Sequence, residues 1–505
     1  MFFKLKSAAA NGLEAWPIDI EVDINKGQTA FNIVGLPDTS IQEARERIHS
    51  AIKNSGFDYP FNFRILINLA PANLHKGGPA YDLPMAVGII AASQGYNWSL
   101  ENSLIFGELA LNGEVRHVNG ILPVVIFAKQ RGFKNIFIPA ADVKEAALVT
   151  GLEIYPVKNL NEIIEHFSQK KLITVFYPSV PFTIPLTPKD EADFKMVKGQ
   201  TFAKRALEIA ASGHHNLLMN GPPGSGKTLL ARSLPSILPP LTEEERLEVT
   251  KIYSVAGLLP NGYIQERPFR SPHHTTSAAA LVGGERFPRP GEISLAHRGV
   301  LFLDELPEFP RFVLDSLRQP LEDGTITVSR AQSALSFPAR FILIASQNPC
   351  PCGFSTDPER PCTCSSSQIL GYKKKISGPL LDRIDLHVEV PRVDFEKLTA
   401  APDEESSEKI RCRVIEAQLR QIKRFKNSRI HNNSEMGNRE ILKHCKLDEP
   451  SLGLVRSAVN QMHLSARGYS RILKVARTIA DLAQEEHILL THIAEALQFR
   501  APTEF

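Results

Sequence analysis

Residues 217–234 read LLMNGPPGSGKTLLARSL, and inside them Gly221, Pro222, Pro223, Gly224, Ser225, Gly226, Lys227 and Thr228 form a complete G-x-x-x-x-G-K-[ST] element. An apolar strand-like run, Leu217–Met219, precedes it and a helix-compatible run follows, the context in which such a loop holds phosphates. The glycines let backbone N–H groups curl around phosphate oxygens. Lys227 brings positive charge to the β- and γ-phosphates, Thr228 a hydroxyl for Mg²⁺, and the helix N-terminus a favourable dipole. The block around this loop, about 190 to 392, alternates buried-type strands with helices, the pattern of a parallel α/β sheet.

Further strand ends in that block carry matching chemistry. GVLFLDEL (299–306) runs four apolar residues into Asp304-Glu305, as a strand buried on both faces does. Asp304 can hold Mg²⁺, and Glu305 can orient and deprotonate the attacking water. RFILIASQNP (340–349) ends at Asn348, an amide able to hold that water or touch a γ-phosphate. GPLLDRIDLHVEVP (378–391) offers Arg383, and GYSRILKVARTIA offers Arg471 with Arg467 close by. Together these predict nucleotide hydrolysis rather than nucleotide binding alone.

At 505 residues the chain exceeds one hydrophobic core. The expected organisation is a front domain over 1–172, a proline-rich linker over 173–189, an ATPase core over 190–392 and a helical lid over 393–505. In the front domain, β-rich runs (Ile18–Ile24, Phe31–Val34, Arg64–Leu69, Asn135–Ile138) alternate with helical ones (Ser40–Ser55, Met85–Ser93). PDEESSEK (402–409) reads as a polar joint. A net charge of +3 permits nucleic-acid binding without arguing for it. The N-terminus does not read as a signal peptide and no apolar run reaches membrane-span length, so a cytoplasmic protein without membrane contact is expected. The clearest basic clusters are YKKK (372–375) and RQIKRFKNSRIH (420–431), suited to phosphate contact or to a plain solvated face.

NPCPCGFSTDPERPCTC (348–364) holds Cys350, Cys352, Cys362 and Cys364, the ligand set of a structural tetrahedral Zn²⁺ site. Free thiols and disulfides are the alternatives, and a cytosolic setting disfavours disulfides. Four cysteines leave zinc no open position, so the loop reads as a staple rather than a catalytic centre.

Taken together, these motifs resemble an AAA+ ATPase, most closely the branch of magnesium-chelatase ATPase subunits and MCM helicases. The resemblance implies that Asn348 is sensor 1, Arg383 a finger reaching a neighbouring subunit's nucleotide, and Arg471 the lid's sensor 2, in a hexameric ring. DGTITVSRAQSALSFPARF (323–341), with Arg330 and Gln332 at its tip, fits that branch's pore hairpin or a plain surface hairpin. FRSPHHTTSAAALVGG and PRPGEISLAHRGVLFLDELPEF, within 269–309, are similar to the ComM/YifB family. They carry the pair His273-His274, which alone reads as a polar turn.

In the front domain, GELALNGEVRHVNGI (107–121) and LHKGGPAYDLP (74–84) resemble the proteolytic domain of Lon proteases, an α+β fold. That pattern places Ala80 where the catalytic serine belongs and Leu122 where the lysine belongs, so peptide hydrolysis is not expected. The layout resembles the ComM/YifB family over essentially the whole chain. It implies an ATP- and Mg²⁺-dependent hexameric motor acting on single-stranded and branched DNA, promoting branch migration during natural transformation and recombination, with recombinase machinery as a further partner. The competing expectation is a magnesium-chelatase-like remodelling ATPase that does not act on DNA.

Overall fold

The structure is a computed structural model that describes residues 1–500 except 75, 178–192, 261, 285–288, 331–332, 358, 394–403 and 429. Residues 178–189 of the expected linker, the start of the polar joint at 402–403, and Gln332 therefore lie outside the described residues. The chain divides into two compact units, Met1–Thr183 with Glu243–Gln265, and Ile184–Thr242 with Glu266–Phe505.

The first unit contains β1 (Phe2–Asn11), β2 (Glu14–Lys26), β3 (Ala30–Val34), β4 (Phe63–Ala70), β5 (Ser103–Ile105), β6 (Glu108–Leu109), β7 (Val115–Arg116), β8 (Asn135–Pro139) and β9 (Glu153–Val157). Seven of these form one mixed sheet, ordered β3-β4-β2-β1-β5-β8-β9, and β6 pairs with β7. In β2 the buried Ile18, Ile20, Val22 and Ile24 alternate with Asp19, Glu21 and Asp23, the period of a strand with one covered face. The strand β1 has no counterpart among the sequence expectations, because lysines and alanines blur its alternation. Its Lys4 and Lys6 lie 2.9 Å from Asp19 of the neighbouring strand while Phe3 and Leu5 are buried.

The helix Asp82–Gln94 is buried from Asp82 to Ala92. It has no polar face because β1 and β2 pack on it together with the helices Thr39–Asn54 and Leu160–Phe167. The helix Glu243–Ala256, which the sequence places in the ATPase block, packs on the helix Ile121–Gln130 of this unit. Leu247 joins an apolar cluster that contains Ala80 and Leu122, and Gly120 N–H donates to Ser254 O (3.2 Å).

The second unit contains β10 (Leu217–Asn220), β11 (Phe269–Arg270), β12 (Val300–Leu303), β13 (Thr325–Arg330), β14 (Ser333–Pro338), β15 (Ile342–Gln347) and β16 (Leu386–Glu389). Its five-stranded parallel sheet runs β11-β12-β15-β10-β16, with β13 and β14 forming a separate antiparallel hairpin. All four residues of β12 and the first five of β15 are buried, which explains the apolar runs Val300–Leu303 and Ile342–Ala345. Helices Thr201–Gly213, Lys227–Ile237, Ser407–Arg424 and Ala466–Leu482 share one apolar core with this sheet. Among the described residues no helix is long and apolar enough to cross a membrane.

Candidate functional site

The phosphate loop leaves the carboxyl end of β10, the strand between β15 and β16. Gly221 is required by close approach, since a Cβ there would meet Val390 O at 2.1 Å. Gly224 and Gly226 adopt φ of 78° and 89°, which side chains disfavour. The helix then starts at Lys227. Lys227 Nζ donates to the carbonyls of Gly221 (2.6 Å) and Pro222 (2.9 Å) and to Asn348 Oδ1 (3.3 Å). Burial pulls the Lys227 pKa below its ordinary value, against the opposing pull of Asp304 and Glu305. Ser225 Oγ is buried and has no hydrogen-bond partner among the described residues. A lysine folded onto its own loop and an orphaned hydroxyl suit a loop that takes a phosphate chain.

The strand order supplies the remaining groups. Because β15 separates β10 from β12, Asp304 and Asn348 leave adjacent strands beside the loop. Thr228 Oγ1 donates to Asp304 Oδ2 (2.9 Å), so hydroxyl and carboxylate stand where one Mg²⁺ could take both. Glu305 sits at φ 53°, a left-handed conformation rare outside glycine. Its N–H donates to Ser346 Oγ (3.2 Å) and Asp304 Oδ1 (3.1 Å). Lysine, hydroxyl, two acids and an amide thus meet at three neighbouring strand ends, an arrangement suited to water attack on a terminal phosphoryl group.

The two arginines lie elsewhere in the unit. Arg383 and Arg471 line a cavity of about 610 Å³ together with Arg467 and Lys474, and no phosphate-loop residue lines it. Arg383 pairs with Glu322 (2.6 Å) and donates to Pro379 O (2.6 Å). Arg471 lies 3.3 Å from Asp385, which also meets His215 at 3.0 Å. Burial would raise the Asp385 pKa, but His215 and Arg471 hold it below the ordinary carboxylate value.

The four cysteines converge, with every Sγ within 4.8 Å of the others. Cys352 is pulled down to about 5 by the N–H groups of Phe354 and Thr363. The basic clusters are less uniform than the sequence suggests. Arg424 is spent internally on Asp481 (Nη1–Oδ2 2.7 Å) and Asn433 (2.9 Å), whereas Arg420, Lys423 and Lys426 are exposed. Lys375 pairs with Glu308 at 3.1 Å.

Three participants have no role at this site assigned from the sequence. Ser346 donates to Asp304 and accepts from Glu305; only its position two residues before Asn348, on the same strand face, points to it. His274, its ring tilted 36° against that of His273 with centroids 4.0 Å apart, places Nδ1 3.9 Å from Glu305 Oε2. Glu322 lies 61 positions before Arg383 and meets it only through the fold.

Known proteins resemble this chain in sequence. Families described as magnesium chelatase, subunit ChlI, match residues 20–142 and 193–398, and the ChlI C-terminal family matches 404–500. The competence protein ComM of Haemophilus influenzae is 43% identical over 499 residues, covering 98% of this chain and 96% of that protein. YifB of Escherichia coli is 42% identical over 497 residues, with 98% and 96% covered. Lon protease 2 of Bacillus subtilis is 27% identical over 167 residues, 29% of each chain. With a Lon-like likeness, a chelatase-type ATPase sheet and this identity over nearly its full length, the chain belongs to the ComM/YifB family.

Proposed function

We propose that this protein is an ATP-hydrolysing motor that assembles as a hexameric ring on DNA and extends branched joints during uptake and recombination of single strands. The observation that carries the ATPase part is the meeting of Lys227, Thr228, Asp304, Glu305 and Asn348 at neighbouring strand ends. In this reading Lys227 binds the β- and γ-phosphates and Thr228 and Asp304 hold Mg²⁺. Glu305 takes the proton of the attacking water, and Asn348 senses the terminal phosphate. Arg383 acts on a neighbouring subunit's nucleotide and Arg471 reads the bound state from the lid.

The DNA part draws on the competence relative and on the exposed Arg420, Lys423, Lys426 and Lys374, which suit sequence-independent backbone contact. The β13–β14 hairpin is the element assigned to the ring's pore, with Arg330 near its tip. The Lon-like domain, lacking serine at Ala80 and lysine at Leu122, serves as a platform without hydrolytic chemistry. The four-cysteine loop holds a structural zinc.

A second reading, a protein-remodelling ATPase that does not act on DNA, is favoured by the three matches to magnesium-chelatase families. ATP turnover measured with and without single-stranded and forked DNA separates the two. Stimulation by DNA at low salt, fading as salt rises, supports the motor; turnover indifferent to every DNA supports the second reading.

A further inference from the structure

Among the described residues of the insertion 349–364 there is no helix or strand, and only Pro349, Cys350 and Gly353 are buried. A segment of that length with so little apolar burial has nothing of its own to offset the entropy of holding one shape. Yet its four sulfurs are gathered at one point. Cys350 Sγ lies 3.3 Å from Cys352 and 3.7 Å from Cys362, and Cys352 lies 3.6 Å from Cys362. These separations are too long for disulfides. They fall just short of the roughly 3.8 Å edge of a tetrahedron of thiolates about 2.3 Å from a central ion. The turns are those of a metal knuckle: Gly353 N–H donates to Cys350 O (3.0 Å), and Cys364 N–H points to Cys362 Sγ (3.4 Å).

The loop is also fastened to the nucleotide machinery. Gly353, at φ +87°, sits so close to Pro223 of the phosphate loop that a Cβ would meet the proline ring at 2.6 and 2.7 Å. The loop's first turn follows directly from Asn348, whose amide touches Lys227. Its far side is held by Arg392, 3.0 Å from Glu359. Arg392 lies two residues after Val390, whose carbonyl abuts Gly221. A device that fixes the four sulfurs therefore fixes the surroundings of Gly221, Pro223 and Asn348 together.

We propose that Cys350, Cys352, Cys362 and Cys364 bind one thiophilic divalent cation of the zinc class, and that this ion is a positioning element for the phosphate loop, so that nucleotide affinity follows metal occupancy. The inference rests on the reading of residues 221–228 as the nucleotide site. The closed sulfur shell gives the ion no place for substrate, and it acts only by holding Gly353 against Pro223 and Asn348 beside Lys227. Binding of the cation displaces protons from those thiols that are still protonated, with no change of oxidation state.

The test uses the full-length protein. Metal content per chain is measured, the cation is exchanged for Co²⁺ to read thiolate-to-cobalt charge transfer, and a fluorescent ATP analogue is titrated before and after chelation. Expected are about one zinc per chain, a tetrahedral tetrathiolate cobalt spectrum, and nucleotide affinity weakened about tenfold after chelation, with far-UV circular dichroism retained and affinity restored by zinc. Cys350→Ser repeats the loss. Gly353→Ala, which removes no sulfur ligand and adds a methyl against Pro223, keeps the metal and weakens the nucleotide, so the proposal stays testable if Cys350→Ser fails to fold. Metal far below one per chain overturns the site. Full metal occupancy with nucleotide affinity unchanged by chelation and by Gly353→Ala overturns the coupling. A zinc-loaded protein that binds no nucleotide overturns instead the reading of residues 221–228.

Discussion

The side-chain ammonium of Lys227 and the side-chain amide oxygen of Asn348 lie 3.3 Å apart, although they stand 121 positions apart in sequence. The contact links the group proposed to bind phosphate to the group proposed to sense it. Removing the amide should spare ground-state binding and weaken the transition state. Asn348→Ala is expected to leave ATP affinity within about threefold and to lower turnover by about 10²-fold. Nucleotide titration beside steady-state ATPase measurement checks this; equal losses in both would make Asn348 a plain binding residue.

Arg383 rests on Glu322 at 2.6 Å, in a cavity that no phosphate-loop residue lines. A finger acting on a neighbour predicts complementation between subunits. Arg383→Ala and Glu305→Gln proteins should each be nearly inactive alone. Mixed rings should regain turnover, because an Arg383→Ala subunit keeps its own Glu305 and receives an intact arginine from its neighbour. Absence of recovery across mixing ratios would place the action of Arg383 within its own chain.

Much of this geometry is legible in the sequence because each part has a local signature. The phosphate loop needs glycines, and β12 and β15 advertise themselves by the apolar runs Val300–Leu303, which leads straight into Asp304-Glu305, and Ile342–Ala345, shortly before Asn348. What is illegible depends on tertiary placement. Glu322 beside Arg383, His274 beside Glu305 and Gly353 against Pro223 are contacts between segments with no pattern linking them. The strand β1 is missed because its exposed face carries lysines that only the acids of β2 explain. The helix Glu243–Ala256 reads as part of the ATPase block by position, yet its apolar residues pack on the first unit.

Ala80 and Leu122 share one buried apolar cluster, with exposures of 5% and 0%. Restoring a protease-like pair there meets physics before chemistry. Leu122→Lys buries an unpaired ammonium and should cost roughly 3 kcal/mol or more of stability. Ala80→Ser alone should fold and remain inert towards peptide bonds. Thermal unfolding and a casein digestion assay read both outcomes.

Glu145 is buried in the first unit, where it accepts from Leu122 N–H (2.8 Å). Burial pushes its pKa up to about 7, against the opposing hydrogen bonds from Ser254 and Leu122. The folded state therefore holds its proton to higher pH than the unfolded chain, and stability contributed at low pH is lost as pH rises from about 4.5 towards 7. Glu145→Gln removes that ionisation while keeping an acceptor for Leu122. It should be near neutral at pH 5 and stabilising by about 1–3 kcal/mol at pH 8. Denaturant unfolding at the two pH values measures it, and an equal effect at both would show that Glu145 does not titrate in this range.

The central claim, that ATP hydrolysis at Lys227 and Glu305 drives movement of branched DNA, is tested most directly with a labelled three-strand junction incubated with the protein, ATP and Mg²⁺. The account predicts ATP-dependent conversion of the junction to resolved products by the wild-type protein and none by Glu305→Gln, which should still bind ATP. A wild-type protein that hydrolyses ATP but leaves the junction unmoved, with turnover unchanged by any DNA, would contradict it.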